Sequence, residues 1–215
     1  PTPVTAGPLP FAEAETRAAA AHFAEARLLT GPSATRAAVL AELPDASVLH
    51  FACHGLADYS RPLDSGILLA GHSLLRVRDL MALDFPGRIR TAVLSSCETG
   101  VVGTDLPEEV VGLPAGFLQA GVAGVVSSLW SIGDRSTALL MASYYRLLGT
   151  EPMPYGNALR AAQIWVRDST NAEKKAAFPE LVTEPAGSPL AHAFWAESRA
   201  HDHPVSWAAF TYTGE

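Results

Sequence analysis

The sequence predicts an α/β fold: a mostly parallel sheet covered by helices on both faces. Two stretches carry most of that reading. Residues 47–55 (SVLHFACHG) and 91–100 (TAVLSSCETG) are each a short apolar run closed by small or polar residues. Runs of this build suit strands buried on both faces, as in a parallel sheet. The third observation is that candidate strands and helices interleave along the chain, the pattern of crossover units. With 48% hydrophobic and 17% charged residues in 215, the chain can bury a sizeable core.

In order, residues 1–10 are rich in Pro and Gly and form a loose lead-in. Phe11–Ala26 is Ala- and Glu-rich, and helical by propensity. Arg27–Gly31 (RLLTG) is a strand candidate. Ser33 can cap a helix running to Leu43, with Ala37, Leu40 and Leu43 on one face. Pro44-Asp45 then turns the chain into a strand ending at His54. A surface loop over 56–65 leads to a strand candidate at Gly66–Ala70, and Val77–Leu83 is a short helix. Pro86-Gly87 turns into the strand that ends at Cys97.

Beyond the cysteine, Val101–Pro107 is a loop, and Asp105 and Glu108 have capping-box spacing. A helix is expected from about Glu109 to Gln119, although Pro114 deletes a helical hydrogen bond unless it lies in the first turn. Gly124–Trp130 (GVVSSLW) is a strand, Ser136–Leu148 a helix closed by Gly149, and Tyr155–Arg167 a further helix. Residues 170–189 are polar and Pro-bearing, Leu190–Ala200 is helical, and Trp207–Thr213 alternates as a final strand. The domain plan is a lead-in and first helix over 1–26 and a main domain over 27–215. The chain opens at Pro1 without Met, and is expected to be a segment of a longer polypeptide.

Composition limits the function classes. A net charge of −7 with no Lys/Arg cluster argues against direct nucleic-acid binding. No apolar run approaches the ~18 residues of a membrane span. Two cysteines make no disulfide framework, so a reducing, cytoplasmic compartment is expected.

The two apolar runs deliver His54 and Cys97 to the edge of a sheet where open α/β folds bind ligands. A thiol becomes a strong nucleophile when a nearby imidazole populates its thiolate. Gly55 lets a backbone approach a substrate closely, and its N–H with that of Cys97 can hold an oxyanion. Against this, a Cys closing a strand is commonly a small core residue, and a lone His a satisfied polar one. Cys53 alternates away from His54 and reads as core. Zinc would want four ligands at motif spacing, and His201 and His203 have no thiol partner, so no metal or cofactor is expected.

Several stretches in one order resemble a known family. HFACHG at 50–55, LSSCETG at 94–100, GLPAGFLQAGVAGVVSSLW at 112–130, ALRAAQ at 158–163 and WAAFTYTG at 207–214 are similar to the CHAT family. These are caspase-like domains related to separase, often found beside tetratricopeptide repeats, and the likeness covers roughly 27–214. It implies a three-layer caspase/hemoglobinase-like fold and a cysteine endopeptidase acting on protein or peptide substrates. By the same likeness His54 is the general base or acid, Cys97 the nucleophile and Gly55 N–H an oxyanion donor. Asp134, following SLWSIG, would take a basic P1 side chain, although it is also a natural helix N-cap. A regulatory repeat region, in the same polypeptide or a partner, is expected from the family. A silent interaction scaffold and a different thiol acyltransferase or hydrolase remain as alternatives.

Overall fold

The computed structural model describes residues 7–58, 60–85, 87–95, 112–150 and 152–215. The described chain is mixed α/β and divides into two compact units. The first comprises 1–9, 27–131 and 210–215, and the second 10–26 and 132–209.

The helix after the lead-in, α1 (Ala12–Ala20), is shorter than its composition suggests. Its Ala-rich face stops before His22, and residues 21–25 are turns and bends. Arg27–Gly31 is not a strand. Gly31 takes a left-handed φ of 51°, and a one-turn 3-10 segment with Pro32 in it follows at once, so the Leu28-Leu29 run has no length to pair. Thr35, not Ser33, caps α2 (Arg36–Glu42), its side chain accepting from the Ala38 N–H; Ser33 instead closes the 3-10 turn.

The strand predicted to end at His54 is β1 (Val48–Phe51), and His54 lies three residues past it. A second sheet then follows, of which the sequence foretold only the strand at Gly66–Ala70. It consists of β2 (Gly55–Leu56), β3 (Gly66–Leu69) and β4 (Ser73–Arg76), paired antiparallel in that order. Gly66 is essential to this pairing, because a Cβ there would lie 2.6 Å from the Leu75 carbonyl oxygen. Gly66→Ala is expected to cost about 1–3 kcal/mol, the penalty of overpacking a fixed ladder. An unchanged urea midpoint would refute this account of the glycine.

After α3 (Val77–Met81) comes β5 (Thr91–Leu94), all four residues buried. The stretch 96–111, with Cys97, Asp105 and Glu108, lies outside the described residues. α4 (Leu113–Gln119) starts at Leu113, which puts Pro114 in the first turn, where its missing N–H has no helical partner to lose. β6 (Gly124–Ser128) is again fully buried.

The main sheet, in the order β1-β5-β6-β7, is completed by β7 (Phe210–Gly214), shorter than the expected strand from Trp207. β1, β5 and β6 are parallel and β7 is antiparallel to β6, so the sheet is mostly parallel as expected. Its core joins Leu49, Phe51, Ala92, Leu94 and Val125 to Phe117 of α4. The Phe51 and Phe117 rings sit 5.7 Å apart.

The second unit is helical. α5 (Asp134–Thr150) runs through Gly149, which does not close it; a Cβ there would lie 2.7 Å from the His22 ring, so the glycine admits α1's following turn. Then come α6 (Tyr155–Asp168), α7 (Asn171–Ala177) and α8 (Pro189–Glu197). α7 arises within a stretch read only as polar, where Thr170 and Glu173 form a capping box. Arg146 stacks between the Trp165 and Phe178 rings, at 4.6 and 5.0 Å. Among the described residues, no helix is long and apolar enough to cross a membrane.

Candidate active site

The register of the main sheet decides what reaches its carboxyl edge. Phe51 is paired with Leu94, and Leu94 with Ser127, so the three parallel strands end in one row. His54 and Cys97 each stand three residues beyond a member of the Phe51–Leu94 pair in sequence. The two strands expected to be neighbours are therefore neighbours, parallel and in step. Cys97 itself lies outside the described residues, so its side chain has no stated geometry.

His54 is fixed on both sides. Its carbonyl accepts from the Leu68 N–H at 2.8 Å, and the next residue, Gly55, enters the ladder opposite Ile67. The second sheet thus anchors the histidine's main chain just past β1. Its ring is oriented from elsewhere: Nε2 lies 2.7 Å from the Gly7 carbonyl oxygen. A carbonyl can only accept, so Nε2 carries the hydrogen and Nδ1 is the ring nitrogen without one. Sequence reading found no group to orient His54, and a backbone carbonyl has no residue-type signature by which to find it.

Cys53 is half-buried and packs against the main core, in keeping with its reading as a core residue. It lies beyond β1, so that position comes from the bend after Phe51 and not from strand alternation. Asp58 and Asp64 are structural. Asp58 accepts from the Ser60 hydroxyl, the Arg61 main-chain N–H and the Arg61 guanidinium, contacts that outweigh desolvation and hold its carboxyl below the usual range. Asp64 gathers Arg61, Arg76 and Arg78 at 3.5, 3.8 and 2.8 Å.

Asp134 belongs to the second unit and opens α5. It is half-buried, and its Oδ2 accepts the Phe11 main-chain N–H at 2.8 Å. That N–H sits at the start of α1, where helical amides lack intrahelical partners. So the carboxylate caps α1, not the helix it begins. The nearest basic side chain in sequence, Arg135, lies over the Phe11 ring with its guanidinium 4.9 Å from the centroid. Among the described residues Asp134 makes no ion pair.

The family model for the CHAT domain matches residues 2–215, and the chain belongs to that family. It is a caspase-like, peptidase-related family, in agreement with the mixed α/β architecture and the mostly parallel sheet. No curated protein matches the chain.

Proposed function

We propose that the chain is a cysteine endopeptidase that cleaves protein substrates after a basic residue. The observation that carries the reading is the Gly7–His54 hydrogen bond: it leaves Nδ1 of an oriented imidazole free, on a chain of a peptidase-related family. In the proposed reaction Nδ1 takes the Cys97 thiol proton, and the thiolate attacks the scissile carbonyl carbon. The Gly55 and Cys97 N–H groups hold the oxyanion. The imidazolium returns its proton to the leaving amine as the C–N bond breaks, giving a thioester. Water, deprotonated by the same nitrogen, then attacks the thioester and frees the thiol and the acid. The thiol supplies the nucleophile, so the reaction draws on no cofactor. Asp134, which makes no ion pair among the described residues, takes the P1 ammonium or guanidinium. Control by a repeat region, in the same polypeptide or a partner, is part of the proposal.

An acyloxymethylketone ending in Arg tests it. Wild type is expected to be labelled at Cys97 and the Cys97→Ala chain not at all. Labelling that survives Cys97→Ala would move the nucleophile elsewhere. A wild-type chain that stays unlabelled while iodoacetamide still alkylates Cys97 would favour the silent scaffold.

A further inference from the structure

The second sheet carries a charge pattern that its own ion pairs do not use up. Asp64 gathers the Arg61, Arg76 and Arg78 guanidiniums, Arg61 also meets Asp58 at 3.0 Å, and Arg36 meets Asp79 at 3.1 Å. Four guanidiniums thus share three carboxylates, and the two signs are layered. The carboxylate side chains are 20–28% exposed and the guanidinium side chains 41–72%, so the negative charge lies beneath and the positive charge faces solvent. Arg76 stands 3.8 Å from Asp64, beyond hydrogen-bond range, so its donors are not committed to that carboxylate. No run of basic residues marks this face in a sequence of net charge −7; the fold assembles it from positions 36, 61, 76 and 78. Its place is a second observation. Leu56, Gly66 and Arg76 stand side by side across β2, β3 and β4, which puts Arg76 two strand spacings, about 10 Å, from the residue after Gly55. Ile67 and Leu75, paired in the next row, are fully buried, so alternation turns Arg76 outward, with Leu68 and Leu74 half-buried on the same side. All of these residues, with His54 and Gly55, belong to the first unit.

We infer that the outer face of the second sheet, at Arg61, Arg76 and Arg78, is a docking surface for an acidic, extended segment of the protein substrate. The inference rests on the peptidase reading above and deepens it. The segment belongs to the substrate because the face shares a sheet with Gly55, the proposed oxyanion donor. It is acidic because the outward charge is positive and guanidinium forks match carboxylates. One surplus positive charge suits a few carboxylates and not the dense phosphates of a nucleic acid. Contacts made beside the cleft are alike in the bound substrate and the transition state, so they lower KM and leave kcat as it is.

Two peptides test it. Each holds one P1 Arg cleavage site joined through flexible Gly/Ser linkers to a tag at either end, the tags being all Glu in one peptide and all Gln in the other. Wild type is expected to cleave the Glu-tagged peptide with a KM roughly tenfold lower at equal kcat, as a few exposed ion pairs together imply. The advantage shrinks as salt is added. Arg76→Gln combined with Arg78→Gln is expected to abolish the KM difference and to keep kcat, which also shows that the variant is folded. Arg76→Gln alone, which leaves Asp64 paired with Arg61 and Arg78, is expected to lose about threefold of the advantage, and it decides the matter if the double variant does not fold. Arg27→Gln removes the same charge from an exposed pair with Glu42 in the same unit and is expected to change neither constant. Equal KM for the two peptides on wild type would overturn the docking surface and leave the peptidase reading standing. So would a KM advantage that survives both Arg76 variants, or one that Arg27→Gln removes as well. Cleavage of neither peptide by wild type would overturn the peptidase reading, and the use of this face on a substrate with it.

Discussion

His54→Ala and Cys97→Ala are each expected to abolish measurable cleavage of a peptide with P1 Arg, while Cys53→Ala retains it. The expectation for Cys97 follows from chemistry: a thiol becomes a strong nucleophile once an imidazole populates its thiolate, which a serine hydroxyl does not match. For His54 it follows from the tautomer. The Gly7 oxygen holds the hydrogen on Nε2, so in the proposed reaction Nδ1 is the ring nitrogen that exchanges the proton. General acid–base assistance of this kind is worth roughly 10²–10⁴-fold. His54→Gln distinguishes proton transfer from packing, since Gln fills much of the same space but does not titrate. A Gln variant near wild-type activity would refute the assignment. Cys53 lies against the core and its loss removes one half-buried sulfur. A dead Cys53→Ala beside an active Cys97→Ala would reverse the roles of the two cysteines.

What the sequence made legible here was set by whether side chains carry the information. The apolar runs before His54 and Cys97 marked the strands, because burial on both faces admits little else. Their parallel, in-step pairing is the register found between β1 and β5. β4 was missed because SLLR is too short to show a period, and its partners are fixed by contacts distant in sequence. Leu28 and Leu29 looked like a strand, but Gly31 and Pro32 end the run before a ladder can form. Gly149 looked like a helix stop, yet its missing Cβ serves the approach of His22. The site divides the same way. His54 and Gly55 were named from residue type and order, and Asp134 from the family resemblance. The groups that hold His54 and Asp134, the Gly7 carbonyl and the Phe11 amide, are main-chain atoms, which any residue at position 7 and any but proline at position 11 would supply.

The stability of the chain is expected to rise with pH between about 8 and the usual lysine range, and Lys174 is the cause. Its side chain is fully buried, and Nζ donates to the Ser169 carbonyl at 2.6 Å across the start of α7. Burial lowers its pKa to about 8, with Arg199 acting in the same direction and Asp202, Glu173 and Asp168 opposing. Between that value and the unfolded one, the unfolded chain binds a proton that the folded chain does not, so folding gains as the proton is removed. Below about 8 both states are charged and the penalty is constant; above the unfolded value both are neutral and it is gone. The full swing is about 3 kcal/mol for a shift of this size. Lys174→Met keeps the length and removes the titration, so groups common to both chains cancel in the difference. At pH 7 the variant is expected to be as stable as wild type or more so, because it escapes the buried charge while losing one hydrogen bond. By pH 10 wild type should have overtaken it. His201 does not blur the comparison: burial, Lys174 and Arg135 all lower its pKa, so it titrates below this window. Urea unfolding of the two chains at intervals from pH 7 to 10 measures the difference. A gap that stays flat across that range would mean that Lys174 is as well solvated in the fold as outside it.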